Sequence, residues 1–259
     1  MKKQLFLVFG LLFIFPLILF SQIKQVDGKV IDTLNRLDQN NLKTGYWEER
    51  SGELVIKGWY KNDNKTGNWL TFYGNNMLFK LEDFSNGLKD GISLQFDRRG
   101  KIIQVEYYKA GILNGISVTY NQFSEFPSSE ISFINGKKNG ATHYYYDNSK
   151  LQEDSYYSDD LKNGISRFFS KTGKTIAEYN YNRGLFEGPQ KTFYENDSLL
   201  TLTNYKNNIM SGTYKEFYRN GIIKVSGQYI NGLQEGTWTE YDETGKSIQV
   251  KKYKAGISK

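Results

Sequence analysis

Nine glycines recur along the chain at an interval of 24 residues, apart from one step of 22 and one of 25. A constant period of roughly 20 to 50 residues is typical of repeat architectures, in which each unit packs only on its neighbours. The fold must therefore be predicted from one repeat and its stacking. The recurring residues, called anchor glycines below, are Gly45, Gly67, Gly91, Gly115, Gly140, Gly164, Gly188, Gly212 and Gly236.

Each repeat predicts one β-hairpin. After Gly91, the apolar residues Ile92, Leu94 and Phe96 alternate with polar ones, as in a strand with one face buried. A turn follows, and then a second strand of about seven residues such as 102–108. The first turn carries a residue that tolerates positive φ, at Gly52, Asn76, Gly100, Ser149, Gly173, Asp197, Gly221 and Gly245. The second turn carries another, at Gly87, Gly111, Gly136, Asp160, Gly184, Asn208, Gly232 and Gly256.

The fold class predicted from this pattern is all-β. The expected architecture is an elongated, single-layer antiparallel meander of about nine 24-residue β-hairpin repeats. Leucine-rich repeats would need a Leu-x-x-Leu-x-Leu motif that the sequence lacks, and propeller blades need about 40 residues each. We also expect each anchor glycine to let a ring of the adjacent hairpin approach the backbone closely.

The N-terminus predicts export. Two lysines precede an apolar run that ends at Phe20, which makes residues 1–21 a signal peptide that we expect to be cleaved after Ser21. Residues 22–33 form an N-terminal linker, and residues 34–259 form the repeat array, with 34–40 as a capping half-repeat. The protein is therefore expected to be periplasmic, associated with the cell envelope, or secreted. An uncleaved anchor is the alternative, but a spanning helix needs about 20 apolar residues.

Composition narrows the range of partners. The net charge of +6 is spread along the chain, which argues against the basic stripe of a nucleic-acid-binding protein. The absence of cysteine excludes disulfides and thiolate chemistry. We expect a partner that is another protein or a cell-envelope component. Beyond the leader the sequence gives no support for membrane association, and it leaves the oligomeric state open.

The sequence predicts no catalytic, cofactor-binding or metal site. The single histidine, His143, falls at a position that is variable among the repeats, so we interpret it as an ordinary surface or half-buried residue. A catalytic triad or a metal site would need further convergent side chains. Glycosidase carboxylates on distant strands would leave no sequence signature, so a hydrolase stays open as an unsupported alternative.

Six aromatic residues are candidate surface contacts. Most repeats carry an aromatic ring five residues after the anchor glycine, which is called position five. The first four candidates lie two residues after an anchor glycine, on the strand face opposite position five, and are Trp47, Trp69, Tyr214 and Trp238. They could stack on a sugar or a peptide, or they could cover a sheet that lacks a second layer. Phe123 and Phe126 lie in an irregular turn at residues 121–130, which is either a contact point or a tolerated insertion.

The sequence resembles the MORN repeat in its bacterial variant form, whose proteins often carry the label YwqK-like antitoxin. The resemblance rests on NGLQEGTWTEY at 231–241, GTYKEFYRNG at 212–221 and GYWEE at 45–49, and it extends over about residues 34–259. It implies a twisted single-layer sheet of hairpins used for binding or as a scaffold. Many repeats lack the additional glycines of the eukaryotic form, so lipid binding is not carried over.

We therefore predict a non-enzymatic, extracytoplasmic scaffold or binding protein that presents an extended β-surface. The alternatives are an antitoxin-like protein inhibitor and a module that binds glycans or lipid headgroups.

Overall fold

The computed structural model describes residues 25–26, 29–30, 34–122 and 124–259. The predicted signal peptide (1–21), most of the predicted linker (22–33) and the candidate contact Phe123 lie outside these described residues.

The described chain consists of β-strands joined by short turns. The strands of the first half are β1 Gln25–Val26, β2 Lys29–Val30, β3 Arg36–Leu37, β4 Lys43–Ser51, β5 Leu54–Lys61, β6 Asn64–Phe72, β7 Leu78–Ser85, β8 Leu88–Phe96, β9 Ile102–Lys109, β10 Ile112–Leu113, β11 Gly115–Tyr120 and β12 Pro127–Ile134. Those of the second half are β13 Lys137–Tyr145, β14 Leu151–Ser158, β15 Leu161–Lys162, β16 Gly164–Phe169, β17 Thr175–Asn182, β18 Leu185–Phe186, β19 Gly188–Phe193, β20 Leu199–Lys206, β21 Ile209–Phe217, β22 Ile223–Ile230, β23 Leu233–Tyr241, β24 Ser247–Lys254 and β25 Ile257–Ser258.

Strands β3 to β25 form one antiparallel sheet in which neighbours along the chain are neighbours in space. The short strands β1 and β2 pair only with each other. Strand β3 pairs with β4 and strand β25 with β24, and among the described residues no pairing joins β25 to β3. The sheet is therefore open. The prediction of an all-β, single-layer antiparallel meander of consecutive hairpins is confirmed.

The turn between consecutive repeats has two residues, and both have positive φ. Asn86 and Gly87, for example, have φ of 50° and 80°, as in a type I′ turn, whose twist matches that of the flanking strands. The N–H of Gly87 donates a hydrogen bond to the carbonyl oxygen of Lys65 (2.9 Å), and Gly111 donates in the same way to Lys89 (2.7 Å). Each turn is thus tied to the repeat before it. All of the turn residues predicted to tolerate positive φ have positive φ.

The anchor glycines have φ between 65° and 135°, although they lie within or at the start of strands. Residues 67–69 of β6 lie opposite the single residue Gly58 of β5, because Lys57 pairs with Leu70 while Trp59 pairs with Thr66. This bulge explains the glycine, since a Cβ is unfavourable at such φ values. The expectation that the anchor glycine admits a neighbouring ring is wrong at Gly67, Gly164, Gly188 and Gly236, where an added Cβ would meet nothing within 4 Å. It is met at Gly115, where an added Cβ would lie 3.4 Å from the ring atom Cγ of Tyr107.

The sheet has two faces with different side chains. One face, called the groove face, carries Trp69 together with Phe84, the ring that lies seventeen residues after the anchor glycine (position seventeen). The two share a face because Phe84 pairs with Gly67, and Glu82 pairs with Trp69. The other, called the ladder face, carries Leu70 and the ring at position five, Phe72. The two recurring rings therefore lie on opposite faces, and rings at both positions are half-buried in the described repeats. Each ring covers its own side of a sheet that has no second layer.

We expect replacement of Gly236 by alanine to destabilise the fold by about 1–2 kcal/mol through backbone strain alone. Its φ is 72°, and an added Cβ would meet nothing within 4 Å, so crowding contributes nothing. Replacement by asparagine should cost clearly less, because asparagine tolerates this conformation. Chemical denaturation of the two variants measures the difference, and an equal loss in both would contradict the backbone explanation.

Candidate functional site

The position two residues after the anchor glycine is the most buried row of the groove face. Trp69 is 1% exposed and Trp238 is 8% exposed, and the smaller side chains Ser93, Ser117, Thr142, Ser166 and Gln190 at this position are also buried. Trp47 and Tyr214 are half-buried. The structure therefore places four of the candidate contacts in one row, with Trp69 and Trp238 packed into the sheet. Their role as surface contacts stays a prediction.

Trp69 and Trp238 fit this row because the preceding strand supplies a glycine beneath each indole. A Cβ added at Gly58 would lie 2.3 Å from Trp69 Cδ2, and one added at Gly227 would lie 2.2 Å from Trp238 Cδ2. Each indole Nε1–H donates to a backbone carbonyl oxygen at 3.2 Å, that of Trp59 or Gln228. The sequence prediction did not include these two glycines. Both precede their tryptophan by 11 residues and lie outside the anchor series, which is a signal that could have identified them.

In the N-terminal cluster, defined as Gly58, Tyr60, Lys65, Trp69 and Phe84, a lysine covers the tryptophan. Tyr60 and Phe84 contact Trp69 edge-on, with ring centroids at 4.9 and 6.3 Å. Lys65 Nζ lies 4.0 Å from the centroid of Trp69 and 5.3 Å from that of Phe84. An ammonium at such distances from ring centroids makes a favourable cation–π contact. The cluster thus contains its own cation.

Lysine recurs two residues before the anchor glycine and repeats this contact along the groove face. The five residues are Lys43, Lys65, Lys89, Lys138 and Lys162, each with its Nζ within 5.3 Å of a ring centroid. Several also form ion pairs, as Lys89 does with Glu82 (2.6 Å) and Lys162 with Glu153 (2.7 Å). The hydrogen bond to Glu49 raises the pKa of Lys43. Burial alone would raise the pKa of Glu49, but the hydrogen bond and charge of Lys43, with smaller contributions from Tyr60 and Lys65, together lower it.

The last three repeats lack this lysine, and an open groove lies among these repeats. Phe186, Met210 and Gln234 occupy the lysine position there. The groove has a volume of about 230 Å³. It is called the C-terminal groove below, and its lining is Tyr214, Glu216, Val225, Tyr229, Gln234, Trp238, Glu240, Gln249, Lys251 and Tyr253. The candidate contacts Tyr214 and Trp238 therefore lie in one concave site.

The charges of the C-terminal groove are only partly paired. Glu216 Oε1 accepts a hydrogen bond from Lys224 Nζ at 2.7 Å. Glu240 and Lys251, by contrast, are exposed and form no ion pair in the part of the chain that the structure describes. Burial, followed by the nearby charge of Glu216, raises the pKa of Tyr214, so this ring is neutral at physiological pH. The groove thus combines rings with one unpaired carboxylate and one unpaired ammonium.

On the ladder face, His143 belongs to a row of polar and charged side chains that face one another across successive strands. Its Nδ1 lies 3.5 Å from Glu130 Oε2, and its Nε2 lies 3.4 Å from Asp154 Oδ1. The row continues through Arg167, which lies 3.8 Å from Asp154 and 3.1 Å from Glu178. Opposite charges on paired strands stabilise their pairing, as in these contacts of Arg167. The half-buried histidine lies between two carboxylates in the same row.

The irregular turn of the fourth repeat is held by the turn before it. Lys101 Nζ donates to the carbonyl oxygens of Asn121 (2.9 Å) and Ser124. Arg99 donates to that of Gln122 (3.1 Å). The candidate contact Phe126 is 54% exposed at the end of this turn, far in the chain from the C-terminal groove. The structure therefore does not bring Phe126 together with the tryptophans.

Within the described residues, no three or more histidine, aspartate or glutamate side chains are grouped so as to hold a metal ion. The same residues contain no helix with the length and hydropathy needed to cross a membrane.

The final repeats also match a known family. Residues 186–207, 210–231 and 234–255 each match the MORN repeat variant. Residues 186–255 are MORN repeats. Each match begins at the lysine position of its repeat, so the C-terminal groove lies within the last two MORN repeats. The repeats before residue 186 share the positive-φ anchor glycine and the two-residue turn between repeats. Among curated proteins, none matches the chain.

We expect Tyr108 to titrate well above an ordinary tyrosine. Burial, together with the hydrogen bond that its hydroxyl donates to Glu106 Oε2 (2.8 Å), raises its pKa to about 12. An unfolded tyrosine has a pKa of about 10. The contribution of Tyr108 to stability is therefore complete below pH 10 and is lost as the pH rises through 12. The tyrosinate absorbance of the wild type minus that of Tyr108→Phe measures this pKa, and a value near 10 would contradict the assigned cause. Glu106→Gln should lower the pKa part of the way, because burial remains.

We expect Gly227→Ala to displace Trp238 and to destabilise the fold by about 1–3 kcal/mol, the usual cost of overpacking. The double variant Gly227→Ala, Trp238→Ser should recover part of the loss, because Ser155 and Ser166 occupy the equivalent positions of another repeat. Thermal unfolding and the emission maximum of the indoles measure both effects. A single variant as stable as the wild type would show that the glycine is not required by Trp238.

Proposed function

We propose that the protein is an exported, non-enzymatic scaffold that binds a protein partner along the edge of its sheet. The observation that carries this proposal is a regular row of exposed aliphatic side chains at the edge formed by the type I′ turns. Export is supported by the basic and apolar N-terminus, and the scaffold role by the MORN repeats at residues 186–255.

The row, called the aliphatic ridge below, consists of the residue that follows the type I′ turn in seven repeats. Its members are between 40% and 73% exposed and are Leu88, Ile112, Leu161, Leu185, Ile209, Leu233 and Ile257. In five cases the ridge side chain lies 3.2–3.6 Å from the position of a Cβ added at the glycine of the next turn, and these are Leu88, Ile112, Leu161, Ile209 and Leu233. A Cβ at Gly184, for example, would lie 3.4 Å from Leu161 Cδ2, and one at Gly256 would lie 3.4 Å from Leu233 Cδ2.

The regular spacing of the ridge fits an extended protein partner. One hairpin advances the sheet by about 10 Å, twice the distance between paired strands, so ridge residues recur at that interval. The exception is the step from Ile112 to Leu161, where Lys137 occupies the intervening position. Single exposed apolar side chains are normal, whereas contiguous apolar surface marks interaction sites. Aliphatic side chains offer neither hydrogen bonds to a glycan nor charge to a lipid headgroup. Protein binding is therefore the function class that this surface favours, and an antitoxin-like inhibitor would be one form of it.

We expect the triple variant Leu185→Ser, Ile209→Ser, Leu233→Ser to lose a protein that the wild-type chain retains from a cell-envelope extract. The matched control is Ile116→Ser, Tyr156→Ser, Ile165→Ser, which removes side chains of similar exposure (45–52%) from the ladder face. Affinity capture with the tagged full chain, followed by identification of retained proteins, measures the effect.

Retention of the same proteins by the ridge variant and the wild type would contradict binding at the ridge. An unchanged thermal midpoint in both triple variants would show that the loss does not come from unfolding, since exposed side chains contribute little to stability.

A further inference from the structure

We propose that the C-terminal groove binds a protonated lysine side chain of a partner protein, at the place that Lys65 fills within the N-terminal cluster. This inference rests on the proposed binding function and names the chemistry of one contact.

The N-terminal cluster and the C-terminal groove have the same ring geometry. Tyr229 and Tyr253 contact Trp238 edge-on, with centroids at 5.1 and 6.3 Å and interplanar angles of 80° and 75°. The corresponding contacts of Trp69 measure 4.9 and 6.3 Å, with angles of 76° and 72°. Both indoles lie on a glycine of the preceding strand and donate to its backbone at 3.2 Å. The arrangement of one tryptophan and two edge-on rings that surrounds the Lys65 ammonium, called the ring frame, therefore recurs around Trp238.

What differs is the residue that fills the frame. Gln234 replaces lysine, and among the described residues no lysine or arginine makes a cation–π contact with Tyr229, Trp238 or Tyr253. The exposed fraction of the tryptophan rises from 1% at Trp69 to 8% at Trp238. Tyr214 also stacks on Trp238, with centroids at 5.4 Å and an interplanar angle of 28°, a contact that has no counterpart at Trp69. In the described part of the chain, the rings around Trp238 thus have no cation beside them, whereas Lys65 lies beside Trp69.

The carboxylates around these rings favour a cation. Glu216 occupies the position of Glu49, which accepts a hydrogen bond from the hydroxyl of Tyr60 in the N-terminal cluster (3.1 Å). Glu240 occupies the position of Thr71, whereas Lys251 occupies that of Glu82, so the two sites place their carboxylates differently. Lys224 already pairs with Glu216 at 2.7 Å, which leaves Glu240 as the charge partner for an incoming ammonium. A ring face together with an unpaired carboxylate is the environment that stabilises an alkylammonium group.

Among the described residues, Lys251 is the one cation that lines the groove, and it is the alternative occupant of the ring frame. It lies directly opposite Trp238 on the adjacent strand. If Lys251 lay against these rings, the groove would be closed to a partner's lysine. The experiment must therefore distinguish Lys251 from an external lysine.

The test is a titration of the full chain with Nα-acetyl-lysine methylamide at fixed ionic strength, followed by the indole N–H resonances of its tryptophans. We expect a saturable shift at Trp238 and none at Trp69. The norleucine analogue, which has the aliphatic stem without the ammonium, should bind at least about tenfold more weakly. Equal binding of the two probes would overturn the proposal, since it would make the groove an apolar site.

Two reciprocal variants use the chain as its own control. Gln234→Lys restores the residue found in five other repeats and should weaken probe binding at Trp238 at least about tenfold. Lys65→Gln should create a second responsive indole at Trp69. Both variants should keep the wild-type thermal midpoint within a few degrees, because each exchanges the residues of two folded repeats. A Gln234→Lys variant that binds as tightly as the wild type would overturn the proposal.

The Lys251→Gln variant should bind the probe two- to threefold more tightly, because it removes a like charge from the groove. Appearance of binding only in this variant would overturn the proposal and assign the frame to Lys251. Capture from the envelope extract distinguishes failure of the lysine contact from failure of protein binding at the ridge. A partner retained by the ridge and unaffected by Gln234→Lys would leave the proposed function intact while removing the lysine contact.

Discussion

The left-handed backbone at fixed positions of each repeat is the constraint on which the rest of the structure depends. Two consecutive residues with positive φ form the turn between repeats, and the anchor glycine, four residues after the second of them, has positive φ as well. The turn sets the pairing of adjacent hairpins, and the bulge at the glycine then shifts that pairing. Because both recur at one spacing, equivalent side chains fall on the same face in every repeat.

A single-layer sheet must protect both faces with side chains from its own strands. On the groove face this is achieved by complementary sizes, since Trp69 and Trp238 lie on glycines whereas Ser166 lies 11 residues after Ser155. The row stays filled although individual residues differ widely in volume. The lysine stems and rings above it add a second cover, which is why charged and aromatic residues are interleaved in a protein of modest apolar content.

The sequence was sufficient to predict the hairpins and the turn residues, because positive φ restricts those positions to glycine and a few polar residues. It also placed Trp47, Trp69, Tyr214 and Trp238 on the face opposite the position-five ring, since alternation alone decides that. It did not predict that the position-seventeen ring shares their face. A bulge in the second strand, where Phe96 pairs with Ile102 but Gln95 with Gln104, changes the alternation, and periodicity contains no sign of it. The lysine contacts were missed for the same reason, because they join residues of different strands across a bulge.

The same constraint suggests how such an array acquires specificity. The ring frame around Trp69 and that around Trp238 agree closely because glycines and turns fix both, so the frame cannot easily be altered without cost to the fold. The position two residues before the anchor glycine is different, since Lys65 and Gln234 are accommodated by the same backbone. Exchange at this position, together with the replacement of Thr71 by Glu240 and of Glu82 by Lys251, distinguishes the C-terminal groove from the cluster that holds its own cation. Lysine occupies the position in five of the first six repeats, and Phe186 at that position in the seventh packs against tyrosine rings, so substitutions that leave the sheet unchanged separate the groove at which we propose binding from the earlier repeats.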